Sequence, residues 1–298
     1  MSVSPLRIFS FVLPALLFLV APLNAQYDPQ APEPIAKLRG ALVLHGGGPV
    51  SAAVREKFVQ LAGGAKAKII VIPTADVEDA LNEKKLEVWG SLAPASVEFL
   101  HAETRDDALR AEFSAPLADA TGVWFSGGKQ SKLGEIYTDT PVEAAVKAVI
   151  ERGGVVGGTS AGAAIASRIM IVRGEERKGL DLLPGAIVDQ HFVKRNRQDR
   201  LLKIVAAHPD RVGLGIDENT TLVVRGRRVE VIGESEVVVC LAASANRPAR
   251  VDRLTAGKNV DLIALSRAAQ ARSVPPFPLA TPPLSITAFT AASIGVSV

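Results

Sequence analysis

Disulfide chemistry is closed to this chain. Its one cysteine, Cys240, excludes an internal bridge, so the fold must be held by its core. Set in Val237-Val238-Val239-Cys240-Leu241, it reads as a buried strand residue, with no histidine or basic residue close in sequence to activate it. Metal-ligand spacing is also missing: there is no H-E-x-x-H, no cysteine pair and no EF-hand run of carboxylates. Gly46-Gly47-Gly48-Pro49 lacks the Lys-Ser/Thr of a nucleotide loop. No cofactor and no metal are therefore expected. Charge of one sign is scarce as well. A net +3 is too small to argue for nucleic acid as a partner. Aromatics make up only 5% of a chain that is 48% hydrophobic, which describes an interior built from Ala, Val, Leu and Ile. Internal repeats and heptads are absent too.

The long apolar run at the start is not read as fold. Arg7 precedes an almost wholly apolar stretch from Ile8 to Leu23, interrupted by Pro14 and Pro22, and Ala25 offers a small residue before a cleavage point. Residues 1–25 are expected to be a signal peptide, too short and too broken for a spanning helix. That makes the mature protein secreted or periplasmic, with no membrane attachment after cleavage. Roughly 250 residues remain once loose ends are set aside, enough for one domain with a well-buried core. The domain is placed at 36–266 and a Pro-rich tail at 267–298. A homodimer stays open.

From Gly40 the chain alternates short continuous apolar runs with helical periods. Strands are predicted at Gly40–His45, Lys68–Pro73, Ser96–His101, Thr121–Phe125 and Gly154–Gly157, with helices at 51–61, 80–92 and 141–152. That alternation predicts an α/β fold with a mostly parallel sheet covered by helices on both faces. Further on, strands are expected at 168–172, 212–216 and 236–241, a helix at 194–207, and a β-hairpin of 220–224 with 228–232 across Gly226. Ligands in such sheets gather at the carboxyl ends of the strands. Three glycine clusters fall there: Gly46–Gly48, Gly127-Gly128, and Gly157-Gly158 ahead of Ser160.

Gly158-Thr159-Ser160-Ala161-Gly162, directly behind an apolar strand, has the composition of a nucleophile elbow. Such a turn exposes Oγ above the sheet and points the next amide, that of Ala161, at a forming oxyanion. The four histidines differ in context. His208 precedes Pro209 at a helix end, His101 ends a strand, and His45 lies at a rim strand end where it can touch substrate. His191 sits in Ile187-Val188-Asp189-Gln190-His191-Phe192, polar residues between apolar ones. Burying Asp, Gln and His together without a purpose is costly, which selects His191 as the base. The orienting carboxylate is sought among Asp189, Asp217 and Glu218, with Glu218 favoured and Asp189 second. The order Ser, His, Glu differs from the Ser, Asp/Glu, His of α/β-hydrolases.

Phe125-Ser126-Gly127-Gly128-Lys129-Gln130, Gly157 to Ala163, Leu182-Leu183-Pro184-Gly185, Asp189-Gln190-His191-Phe192 and Gly215-Ile216-Asp217-Glu218 together resemble the cyanophycinases. These are serine exopeptidases of peptidase family S51, related to aspartyl dipeptidases. The resemblance covers residues 40 to 245. It implies a flavodoxin-like, class I glutamine-amidotransferase-like fold. It further implies Ser160 as nucleophile, His191 as base then acid, Glu218 as orienting acid, and Gly128 and Ala161 as oxyanion donors. Gln130, Asp189, Gln190, Arg195, Arg197 and Arg200 would line a substrate cleft. The substrate would be cyanophycin, whose aspartate backbone carries arginine on each side-chain carboxyl, and the products β-aspartyl-arginine dipeptides. An α-aspartyl dipeptidase and a non-catalytic binding module are the alternatives. Guanidinium forks suit carboxylate binding, and Lys129, where relatives are expected to carry Asn or Asp, adds a cation at the cleft mouth.

Overall fold

Apolar runs without alternation become strands buried on both faces: all five residues of β1 (Ala41–His45) are buried. A computed structural model describes residues 38–273, so the expected signal segment 1–25 and the chain beyond 273 lie outside the described residues. From β1 the chain runs through α1 (Ala52–Leu61), β2 (Lys68–Ile72), α2 (Lys84–Gly90), β3 (Ser96–Phe99), α3 (Arg105–Leu109), β4 (Gly122–Phe125), α4 (Gln130–Tyr137), α5 (Pro141–Glu151) and β5 (Val155–Thr159). There follow α6 (Ala161–Ala164), β6 (Ile169–Val172), β7 (Glu175–Lys178), β8 (Ala186–Gln190), α7 (Gln198–Ala207) and β9 (Val212–Ile216). The remainder is β10 (Thr220–Arg225), β11 (Arg228–Gly233), β12 (Glu236–Leu241), β13 (Arg250–Thr255), β14 (Asn259–Asp261) and α8 (Leu262–Ser273).

The central sheet has the order β14-β11-β10-β1-β5-β4-β2-β3. Strands β1, β5, β4, β2 and β3 are parallel, so the glycine clusters after β1 and β4 and the one at the end of β5 meet at one rim. The predicted hairpin β10–β11 forms and extends this sheet antiparallel beside β1. A second sheet has the order β13-β12-β9-β8, and Asp217 and Glu218 follow β9 of this sheet rather than a strand of the central one. Strands β6 and β7 form a separate ribbon.

Strand side chains alternate between faces, and the core divides accordingly. Leu42, Leu44, Ile70, Val123 and Phe125 face α4 to α6 and the inner side of the second sheet. Val43, Ile69 and Trp124 face α1 and α2, where Phe58, Trp89 and Trp124 pack with ring centroids 5.0–5.2 Å apart. On the outer side of the second sheet, Ile187, Val238 and Cys240 meet Leu201, Ile204 and Val205 of α7.

Two helices are shorter than their patterns predict. The helix expected from 80 begins at Lys84, because the Asp76 carboxylate accepts from the amides of Glu78 and Asp79 and holds the chain in a turn. The helix expected from 194 begins at Gln198. His191 and Asn196 adopt left-handed backbone, φ 47° and 49°, and the Lys194 amide donates to Asp217 at 2.9 Å. At the other end, α8 carries the domain past 266, with Ala269 buried in the main core.

Candidate active site

Ser160 follows β5 directly and adopts φ 51°, ψ −108°. Backbone strain of this kind costs on the order of 1–3 kcal/mol and persists only where surroundings impose it. Here the Ser160 amide donates to the His45 carbonyl at 2.9 Å, and the Ser160 carbonyl accepts from Ala163 and Ala164 as α6 begins. The strained turn lifts Oγ out of the sheet. His191 Nε2 lies 2.8 Å from it, and His191 Nδ1 lies 2.7 Å from Glu218 Oε1. A carboxylate can only accept, so Nδ1 carries the proton and Nε2 is free to receive one from Oγ.

His191 and Glu218 are bracketed by the loop Gly46–Gly48. The His191 amide donates to the Gly46 carbonyl at 2.7 Å and the Asn219 amide to the Gly47 carbonyl at 2.9 Å. Gly47, at φ 125°, has no room for a Cβ, which would sit 2.2 Å from His191 Cε1. This glycine run therefore seats the imidazole. Sequence reasoning placed it at the rim without recognising that task. Burial holds the His191 imidazole below its ordinary pKa; the Glu218 hydrogen bond pulls it back up, and the Arg195 and Arg197 charges lower it further.

Among the described residues neither the Gly128 nor the Ala161 amide donates to a protein acceptor. Gly128 lines the cleft in front of Ser160. Its own backbone, at φ 136°, is pressed against the Ala75 carbonyl, 2.2 Å from where a Cβ would stand. A Cβ on Gly127 would lie 3.5 Å from Ser160 Cβ, so this loop and the elbow are in contact.

The cleft encloses about 840 Å³ and is lined by Gln130, Gln190, Arg195, Arg197 and Arg200 together with Ser160 and His191. Asp189 is the exception among the expected lining residues. It is 1% exposed on the α7 side of β8, where Arg200 grips it through Nε at 2.7 Å and a second short bond from its other nitrogen. Gln190, one residue on, faces the opposite way. Arg197 donates to its carbonyl and side chain at 2.8 and 2.7 Å, Gln190 donates to Gln130 at 2.7 Å, and Gln130 to the Ile171 carbonyl at 3.0 Å. Asp189 thus anchors arginines from behind rather than meeting a ligand. The Arg195 amide donates to the His191 carbonyl at 3.0 Å, while its guanidinium, in the cleft lining, makes no ion pair or hydrogen bond among the described residues. Asp217 is buried and accepts from Lys194 and Ser235, so it too is structural.

The other histidines are accounted for. His45, expected to be able to touch substrate, is 1% exposed and bonds Thr221 through Nδ1 at 2.8 Å. His101 bonds Thr74. His208 ends α7 beside Glu176. Among the described residues no group of three or more His, Cys, Asp or Glu is placed to hold a metal ion.

The chain is similar to known proteins over this whole region. It is 37% identical over 197 residues to the cyanophycinase of a Nostoc species, covering 61% of this chain and 66% of that one. Identity to the cyanophycinase of Synechococcus elongatus is 33% over 255 residues, 79% of each chain. The crystal structure of a peptidase from an acI-B1 Actinobacterium superposes with a TM-score of 0.60 at 27% identity, covering 76% of this chain and 98% of that one. The profile described as "Peptidase family S51" matches residues 42–232. This chain, elbow and cleft included, belongs to peptidase family S51.

Proposed function

We propose that this chain is an exported serine-type exopeptidase that hydrolyses cyanophycin to β-aspartyl-arginine dipeptides through Ser160, His191 and Glu218. The observation that carries the reading is the unbroken relay from Ser160 Oγ to His191 at 2.8 Å and on to Glu218 at 2.7 Å, opening onto an arginine-lined cleft. The names of the Nostoc and Synechococcus relatives support the choice of substrate.

In this mechanism Oγ attacks the backbone carbonyl carbon while its proton passes to His191 Nε2. Glu218 holds the imidazole in the Nδ1–H tautomer and stabilises the imidazolium. The amides of Gly128 and Ala161 receive the oxyanion. Collapse breaks the C–N bond, and Nε2 returns the proton to the departing amine, leaving an ester on Ser160. Water then gives a proton to Nε2 as it attacks the ester, and the second collapse restores the serine hydroxyl. A neutral imidazole is needed at the start, and the burial that lowers the His191 pKa favours that form.

Purified protein lacking residues 1–25 should release dipeptides of β-Asp-Arg mass from insoluble cyanophycin and turn over Asp-Leu far more slowly. Ser160→Ala should lower turnover by more than about a thousandfold. Near-native hydrolysis by that variant would overturn the assignment. Export is supported by the Arg7 and Ile8–Leu23 pattern and is tested by sequencing the amino terminus of protein recovered outside the cytoplasm.

A further inference from the structure

The ribbon β6–β7 has no role in the relay, yet its two faces are treated differently. On β7, residues 176 and 178 point one way and 175 and 177 the other. The first pair is engaged: Glu176 with His208 at 3.0 Å and Lys178 with Asp139. Glu175 and Arg177, with Arg173 in the turn before them, line the active-site cleft. All three are exposed, and their charged groups make no ion pair among the described residues; the Arg177 guanidinium donates to the neighbouring Glu176 carbonyl at 2.7 Å. The ribbon is also fixed to the catalytic network through the Ile171 carbonyl and Gln130. Helix α4 backs it closely: a Cβ on Gly134 would stand 2.9 Å from the Lys178 carbonyl. On α4 itself Lys129, its N-cap, and Glu135 line the same cleft. One wall thus offers unpaired cations and anions in alternation, held in place by pairs on the far side.

We infer that Arg173, Glu175 and Arg177, with Lys129 and Glu135, form an extended subsite that binds the charged groups of substrate repeats beyond the one at Ser160. The ligand class is a peptide whose repeats carry both a carboxylate and a guanidinium. Cations on the wall meet its carboxylates, and Glu175 and Glu135 meet its guanidinium groups. The inference rests on the proposed substrate reading and adds a length preference to it. On this inference a single repeat with its scissile carbonyl at Ser160 leaves the ribbon unfilled, and longer chains fill it.

The test uses soluble β-Asp-Arg oligomers of increasing length with the full mature protein. Arg173→Ala/Arg177→Ala and Glu175→Gln should lose kcat/KM progressively with length. The loss should be under about twofold on the shortest cleavable oligomer and about tenfold on long ones for the double variant, carried by KM, since each exposed pair contributes a factor of about two to five. Raising salt should erase the length preference of the native protein. Binding of the same oligomers to Ser160→Ala protein, read by calorimetry, separates the two readings. Ribbon-dependent binding without hydrolysis by the native enzyme keeps the subsite and sinks the proposed reaction. Hydrolysis with losses equal at every length, or with none, sinks the subsite. Absence of both hydrolysis and ribbon-dependent binding sinks the two together.

Discussion

Placing one methyl group at Gly47 should displace the His191 imidazole without substituting any residue of the relay. The Cβ of Gly47→Ala would stand 2.2 Å from His191 Cε1, 2.6 Å from Nδ1 and 2.7 Å from Nε2. Carbon contacts settle at about 3.5–4.0 Å, so the ring must retreat by more than about 1 Å. The 2.8 Å contact between Nε2 and Oγ then passes the limit of a useful hydrogen bond. A misplacement of that size costs about a hundredfold in rate. Alanine at φ 125° adds backbone strain of about 1–3 kcal/mol, which would lower the melting temperature by about 2–4 °C per kcal/mol. Gly153→Ala separates the effects, because Gly153 also has positive φ, 96°, but nothing within 4 Å of its would-be Cβ. Steady-state kinetics and thermal melts should show both variants destabilised, with kcat falling at least about a hundredfold only for Gly47→Ala. Equal kcat losses in the two variants, or full activity in Gly47→Ala, would refute the seating role.

The pH profile tests the electrostatics. The His191 pKa is depressed, by burial first and then by the Arg195 charge, so native kcat/KM should hold below the ordinary imidazole value of about 6.5 and fall as pH drops through the lower folded value. Arg195→Gln removes a depressing charge and should move that acid limb upward; a limb that stays put or moves down contradicts the account. His45, depressed chiefly by burial, binds a proton less tightly when folded than when unfolded. Its contribution to stability is complete above about pH 6.5 and is lost as pH falls through the folded value. A denaturation midpoint that drops on acidification, less steeply in His45→Gln, is expected. Asp189→Asn strands Arg200 and Arg197 beside a neutral side chain and should destabilise by about 3 kcal/mol, the low end for a broken buried pair, since Arg200 keeps 24% exposure. It should also raise KM, and unchanged stability in urea would count against the anchoring role. Cys240 is buried, with its thiol pushed up to about 11, so native protein should resist iodoacetamide at pH 8 and react fully once unfolded.

The parts of this site that could be read from the chain are those just past a continuous apolar run. Ser160, His191 and Glu218 all stand there, as do Gly46–Gly48 and Gly127-Gly128, and the carboxyl-end rule for parallel strands collects them. Asp189 was misread because a strand's period of two sends adjacent residues to opposite faces. Nothing in Asp189-Gln190-His191 says which face holds the cleft, and it is α7 on the far side that claims the aspartate. The late start of α7 depends on the distant Asp217 carboxylate taking the Lys194 amide, a contact no local pattern announces. Strand β7, Glu-Glu-Arg-Lys, is exposed throughout and carries no apolar signal at all. The second sheet was missed for a different reason. No strand is expected at Ala186–Gln190, where only three apolar residues precede Asp189, and the apolar runs at 212–216 and 236–241 do not say which strands they will pair with.

That second sheet explains why the chain order is Ser, His, Glu. Strands β8 and β9 are parallel neighbours in register Gln190 with Ile216, so the residues that follow them emerge at one level, about 4.8 Å apart. His191 and Asp217 occupy that level, and Glu218 lies one residue further, within reach of Nδ1. Immediately afterwards the chain turns at Asn219, φ 55°, and enters β10, which pairs with β1 of the central sheet. The crossing from one sheet to the other therefore happens at Glu218 itself. The loop that leaves β1, Gly46–Gly48, binds both sides of the crossing, taking the amides of His191 and Asn219. His191 and Glu218 are thus placed by strand pairing and by one glycine loop, and Ser160 by the adjacent parallel strand β5, which has β1 as its neighbour. An order with the acid before the base would require the strand carrying the histidine to be the one that returns to β1. The Gly46–Gly48 loop would then have to release the His191 backbone amide it now holds.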